Sequence, residues 1–277
     1  MSAAVEIKTM QLYNHLERFD RELVERGLAA DGPLDAGALS AIDSMHYHGV
    51  KAVDEASARL GLSAGSTVLE IGSGLGGVVR RVAATQHCAV AGLELQQDVS
   101  AAADALTRRC GLANVEHICG DALAPPPALE GRRFGHVVSF LCFLHIEDTG
   151  AILKAAYDFL EPGGSLLVED FYDRGLSAAE QAQLEVDVFA FALPSRGAYE
   201  AAIADAGFEN CEWTDLTASW TAFTNDRLAE YVAAEDRHVR VHGRPTYDSQ
   251  KHFYASVAGL FQGGHLGGVK FVATKPL

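Results

Sequence analysis

The sequence predicts an α/β protein built on a doubly wound, mostly parallel sheet of seven strands. Three observations carry that reading. Short apolar, β-leaning runs alternate with helically spaced runs between residues 67 and 169. Glycines 72, 74 and 76 follow the first of these strands and open a helix, so the backbone turns tightly where free helical N–H groups point outward. Acidic residues then close three successive strands, Glu70, Glu94 and Asp121, which gathers carboxylates at the carboxyl edge where ligands of such sheets bind.

Taken in order, residues 5–30 carry Leu12, Leu16, Phe19, Leu23 and Val24 at helical spacing, and Gly32-Pro33 stops that helix. A second helix is expected from about Gly49 to Leu60, after Ser44-Met45-His46-Tyr47-His48, with Gly61 as its stop. The first strand is 67–71, and Leu75, Val78, Val79, Val82 and Ala83 mark its helix from 75 to 85. Strand 88–93 ends at Glu94, and helix 97–110 follows. Strand 115–119 ends at Gly120-Asp121, and three prolines, 125 to 127, stiffen the next loop. Strand 136–141, helix 149–160 and strand 165–169 complete the alternation. Beyond it, 178–193 and 196–206 look helical, 211–216 is a strand, two helices are expected at 223–241 and 248–260, and 269–274 is the final strand. The long stretch between the last two strands is too long for a hairpin loop and is expected to form a lid. The chain thus divides into an N-terminal helical cap, 1–61, and a main domain, 62–277, with helical lid insertions near 176–195 and 220–262.

Composition narrows the partners. A net charge of −15 argues against nucleic acid or an anionic membrane surface. No apolar run reaches the ~20 residues of a membrane-spanning helix, and Met1–Glu6 lacks the pattern of a signal peptide. Five cysteines with no Cys-x-x-Cys spacing fit free thiols in a reducing cytoplasm. A small-molecule partner is expected, and a homodimer is allowed.

The glycine turn also occurs in dinucleotide-binding folds, but Glu70 suits a cationic, amino-bearing ligand better than a pyrophosphate. Val68-Leu69-Glu70-Ile71-Gly72-Ser73-Gly74-Leu75-Gly76-Gly77 resembles motif I of the class I S-adenosylmethionine-dependent methyltransferases. The resemblance implies a Rossmann-like methyltransferase fold and S-adenosylmethionine as cofactor. Glu70, Gly72, Gly74 and Gly76 would form its loop. Glu94, with Leu95 beside it, ends the second strand and is placed for ribose hydroxyls. Asp121, with Ala122, is placed for the adenine amine.

Three segments narrow the resemblance: His46-Tyr47-His48-Gly49-Val50-Lys51-Ala52, motif I, and Leu144-His145-Ile146. With Asp215–Trp220 and Phe271–Lys275, they are similar to small-amine N-methyltransferases, the phosphoethanolamine and sarcosine/dimethylglycine enzymes, over about 44–277. That resemblance implies a catalytic pair of Tyr47 and His145, with the imidazole as general base. The acidic residue that those enzymes carry just before the loop histidine is replaced by Leu141, Cys142 and Phe143. Segments 181–193 and 253–269 contain no Lys or Arg, which argues for an acceptor without a phosphate. The acceptor pocket is expected to use His46, Phe143, Phe189, Tyr199 and Trp220, with Arg240 for a substrate carboxylate. His238 and His242 lie four apart, but the arginines interleaved with them favour a solvated or anion-facing helix, and no metal is expected. The reading is methyl transfer to a small amine. O-, S- or C-methylation of a partly apolar metabolite, a non-catalytic S-adenosylmethionine-binding protein and a nicotinamide dehydrogenase are its rivals, separable by cofactor titration and product formation.

Overall fold

The computed structural model describes residues 16–28 and 32–277. The start of the first expected helix, with Leu12, lies outside the described residues. Seven strands form one sheet in the order β3-β2-β1-β4-β5-β7-β6. They are β1 Thr67–Ile71, β2 Ala89–Glu94, β3 Val115–Cys119, β4 Phe134–Phe140, β5 Leu160–Asp173, β6 Glu209–Asp215 and β7 Leu266–Thr274. All neighbours run parallel except β7, which is antiparallel to both β5 and β6.

Alternation along the strands explains the two buried faces. Leu69, Ile71, Leu93, Val137 and Val168 pack under α6 (Thr149–Phe159) and α8 (Arg196–Asp205). Val68, Val90, Val138 and Leu167 face the other way, onto α3 (Val50–Arg59) and α4 (Gly77–Gln86). Between the remaining parallel strands, α5 (Gln97–Arg109) joins β2 to β3.

Several elements differ from expectation, each for a local reason. The helix after the glycine turn starts at Gly77 because Gly76 adopts φ 80°, a left-handed cap. An unforeseen helix, α2 (Ala36–Asp43), begins where the Asp35 side chain accepts from the Ala38 N–H. Segment 178–193 is no continuous helix. α7 (Ala178–Gln183) starts at a Ser177/Glu180 capping box and runs into a π turn, 184–188, that ends at Phe189 with φ 57°. β5 extends to Asp173 because β7 pairs with it from Ser165 to Asp173. Three helices, not two, lie between β6 and β7: α9 (Thr217–Ala233), α10 (Glu235–His242) and α11 (Arg244–Gly263). They form a roof over the carboxyl ends of β4 and β5, where Leu144, Phe171, Trp220, Leu260 and Phe261 make a separate apolar cluster.

Charge ties the N-terminal segment to this body. Arg80, 1% exposed, pairs with Asp43 at 2.7 Å and also donates to the Thr107 hydroxyl and the carbonyl of Ala103. Helix α1 (Glu17–Glu25) is latched to α10. Arg237 grips both Glu22 oxygens at 3.0 and 2.7 Å, and the His242 imidazole donates to Glu22 at 2.8 Å. Among the described residues no helix is long and apolar enough to cross a membrane.

Candidate active site

Motif I brings β1 to a close approach. Gly72 has φ 77°, and a Cβ there would sit 2.3 Å from the Cys142 sulfur, so only glycine fits. Glu70 is 2% exposed, and its Oε2 has no hydrogen-bond partner. Burial, and then the charge of Glu94, pushes its carboxyl well above the usual range. Glu94 accepts from the N–H of Gly74 at 2.9 Å and of Gln96 at 2.9 Å, which uses one lone pair of each oxygen. Burial raises it as well, partly offset by those N–H groups. Asp121 is exposed at the rim, where it accepts from Leu123 at 2.8 Å.

These residues border two cavities, each of about 330 Å³. One is walled by Glu94, Leu95, Asp121, Ala122 and Cys142. The other is walled by Glu70, Gly74, His46, Tyr47 and the roof residues Phe223 and Arg227. They share Gly72, Leu141 and His145. His145 therefore stands at the junction. Its Nδ1–H donates to the Phe189 carbonyl at 2.8 Å, since a carbonyl can only accept, and this leaves Nε2 with a free lone pair. Burial depresses the imidazole to about 4, against the opposing pull of that carbonyl.

On the second cavity's wall, His46 donates from Nε2 to the Gly49 carbonyl at 2.9 Å and is likewise depressed to about 4 by burial. The Tyr47 ring meets Trp220 edge-on, with centroids 4.8 Å apart. Its phenol is pushed up to about 12 by burial, so it remains a hydrogen-bond donor and is no base at neutral pH.

Other expected pocket residues sit elsewhere. Phe143 and Tyr199 belong to the core beneath the sheet, Tyr199 with its ring 5.1 Å from that of Phe271. Trp220 supports Tyr47 from below and borders neither cavity. Phe189 contributes its carbonyl through the left-handed turn, while its ring is absent from both walls. Gly76 caps α4 and lies off the walls too. Arg240 is 63% exposed on the outer surface and paired with Glu25 at 2.7 Å, so it cannot meet a substrate carboxylate.

From α9, Arg227 brings a cation to this cavity that the expected site residues do not include. Its guanidinium carbon lies 4.4 Å from the Tyr254 ring centre, 4.9 Å from Tyr47 and 5.4 Å from Phe223. Its Nε and Nη2 are buried and have no partner among the described residues. Arg18 of α1 borders the same cavity, bonded to Gln250. The absence of Lys and Arg from 181–193 and 253–269 therefore says little about phosphate, because α9 and α1 supply arginines instead.

The fold and the glycine turn define a class, and comparison with known proteins bears it out. Residues 68–164 match the methyltransferase domain model. Over that stretch the chain carries a methyltransferase domain. Among its relatives is a phosphoethanolamine N-methyltransferase of Triticum aestivum, 24% identical over 72% of this chain and 39% of that enzyme. Two solved structures share the fold. Phosphoethanolamine N-methyltransferase 2 of Haemonchus contortus, in complex with phosphomonomethylethanolamine and S-adenosylhomocysteine, has a TM-score of 0.77 at 20% identity, over 94% of this chain and 59% of that one. A putative sarcosine dimethylglycine methyltransferase of Galdieria sulphuraria has a TM-score of 0.71 at 18% identity, over 82% of this chain and 84% of that one. The chain thus spans about two fifths of the length of the wheat enzyme.

Proposed function

We propose that the protein transfers a methyl group from S-adenosylmethionine to a small amine that carries an anionic end. The observation that supports this most is the junction of two cavities at His145, one bordered by Glu94 and Asp121, the other by aromatic rings and a guanidinium whose Nε and Nη2 have no partner among the described residues.

The residues fit the cofactor. The orphaned Oε2 of Glu70 suits an ammonium group, whose charge would draw that carboxyl back to its ionised form. Glu94 retains lone pairs for ribose hydroxyls, and Asp121 and Ala122 border the side assigned to adenine. When bound, the cofactor supplies an electrophilic methyl group. The chain's own work is to orient the acceptor, exclude water and take up a proton. His145 Nε2 accepts a hydrogen bond from the acceptor nitrogen and keeps its lone pair free for attack. With its low basicity it stays neutral at physiological pH and ready for that role. Arg227 pairs with the anionic end, a carboxylate or a phosphate. Five free cysteines suit a reducing compartment, the cytoplasm.

The test is S-adenosylhomocysteine release from glycine, sarcosine, dimethylglycine, ethanolamine and phosphoethanolamine. The expected result is turnover of at least one anionic amine, with KM raised at least 10-fold by Arg227→Met. Turnover of the carboxylates and of phosphoethanolamine tells the two anions apart. The aromatic walls favour a second reading, a partly apolar acceptor methylated at oxygen or carbon. That reading predicts that Arg227→Met leaves turnover unchanged.

A further inference from the structure

The turn that carries His145 has an anchor outside its own loop. Asp170 lies on β5, is 0% exposed, and has no basic side chain bonded to it among the described residues. Its Oδ2 accepts from the Leu144 N–H at 3.1 Å and its Oδ1 from the Phe171 N–H at 2.6 Å. The N–H groups of Phe143 and Cys142 also face it. Residues 143–145 form one 3₁₀ turn, and the left-handed Leu141 (φ 52°) brings the chain into it. A short turn leaves its first N–H groups without internal partners. Here a carboxylate from the neighbouring strand satisfies them.

We propose that Asp170 is the positioning residue for His145: its carboxylate grips the start of the turn, while the Phe189 carbonyl grips the ring. The imidazole is then fixed at the junction of the two cavities from its backbone side and from its ring side. This rests on the reading that His145 faces the acceptor. Asp170 does not border either cavity, so it acts only through the turn.

The grip depends on charge, because an ionised carboxylate accepts several N–H bonds and a protonated one fewer. Burial raises Asp170 to about 7, against the pull of those four N–H groups. The titratable groups facing it are Tyr47 from the segment before α3, Cys142 in the turn and Tyr199 on α8. Burial raises all three, so each is neutral at pH 7 and Asp170 is the group that changes charge there. A raised carboxyl costs stability as pH rises from about 4 to about 7, since the unfolded chain ionises freely over that window. Asp170→Asn should therefore leave the melting temperature at pH 7.5 unchanged or higher while loosening the turn. A merely structural side chain would lower it.

Ring-labelled histidine and backbone amide NMR test this on the full chain, with S-adenosylhomocysteine as the binding probe. In the wild type the Leu144 amide and the His145 ring signals should shift together with one midpoint near pH 7. His145→Gln assigns the ring signal. In Asp170→Asn that shared titration should vanish and the His145 ring proton should exchange with water at least 10-fold faster, with S-adenosylhomocysteine affinity within 2-fold of wild type. A His145 ring that ignores the Leu144 titration overturns the proposal, and so does an unchanged exchange rate in the variant. The wild-type titration decides the matter even if the variant fails to fold. Failure of every amine acceptor to turn over, with the NMR result as expected, would instead sink the functional reading and leave the anchor standing.

Discussion

His145 shows how a single buried side chain serves both chemistry and pH response. Its depressed value means that the folded chain holds it neutral while the unfolded chain takes up a proton below about 6.5. The stability cost therefore begins as pH falls through 6.5 and is complete near 4. At pH 5 it amounts to about 2 kcal/mol, from about 1.4 kcal/mol per pH unit. His145→Gln should gain roughly that much relative to wild type between pH 7.5 and pH 5, as urea unfolding at the two values would reveal. The same variant should cost turnover about 100-fold or more with the true acceptor, without loss of cofactor affinity. Glu94→Ala should do the reverse. With its hydrogen-bonded carboxylate gone, calorimetry should record S-adenosylmethionine binding weakened by about 1.5–3 kcal/mol. Glu70, Glu94 and Asp121 were legible in the sequence because each lies at or just past the end of a strand, so local pattern alone places it. Arg227 and Asp170 were not. One needs the approach of Tyr47 and Tyr254, the other the approach of a turn from the neighbouring strand, and neither proximity is written in local spacing.

Among the elements, α2 and α4 are joined by the Asp43–Arg80 pair, which is out of water on both sides. Removing one member of a buried pair strands the other charge and costs about 3–5 kcal/mol. Asp43→Ala should lose stability on that scale in chemical denaturation, and Asp43→Leu with Arg80→Met together should recover much of it. Unchanged stability in the single variant would show that Arg80 relies on Thr107 and Ala103 instead. Since Asp43 also borders the second cavity, the pair fixes the approach to His46 and Tyr47. The central strands were legible because a strand buried on both faces reads as a short, near-continuous apolar run. Segment 178–193 was misread because its apolar residues suit a helix, whereas left-handed Phe189 and Ala192 interrupt it. Helix α2 was missed because eight residues of mixed character, Ala36–Asp43, give little amphipathic signal, and its capping Asp35 was overlooked.

For the whole molecule, the roof borders only one of the two cavities. The cavity of Glu94 and Asp121 is built from the ends of β1 and β2 and the loops after β2, β3 and β4, while the other shares the glycine turn and the turn after β4 with it and adds Arg18, the segment after α2 and the roof. Cofactor binding should therefore survive changes in the roof. S-adenosylhomocysteine at 100 times its Kd should raise the stability of wild type and of Arg227→Met alike, by about 2.7 kcal/mol. Thermal melts with and without it would show this, and loss of the shift in Arg227→Met would mean that the roof also shapes the cofactor side.

The position of β7 sets an order on the birth of this protein. It lies between β5 and β6 and is, among the described residues, the only strand beside β6 in the sheet, yet the ribosome makes it after the three roof helices. A nascent chain that has just exposed β6 has no partner for it, and the long edge of β5 stays open. The sheet closes only when Leu266–Thr274 emerges, by pairing with strands made much earlier, and such distant pairings form slowly. Ribosome-stalled chains ending before residue 266 should be cut rapidly by protease within 209–263, and chains that display β7 should resist. Equal resistance in both would mean that the roof folds without the strand that anchors it.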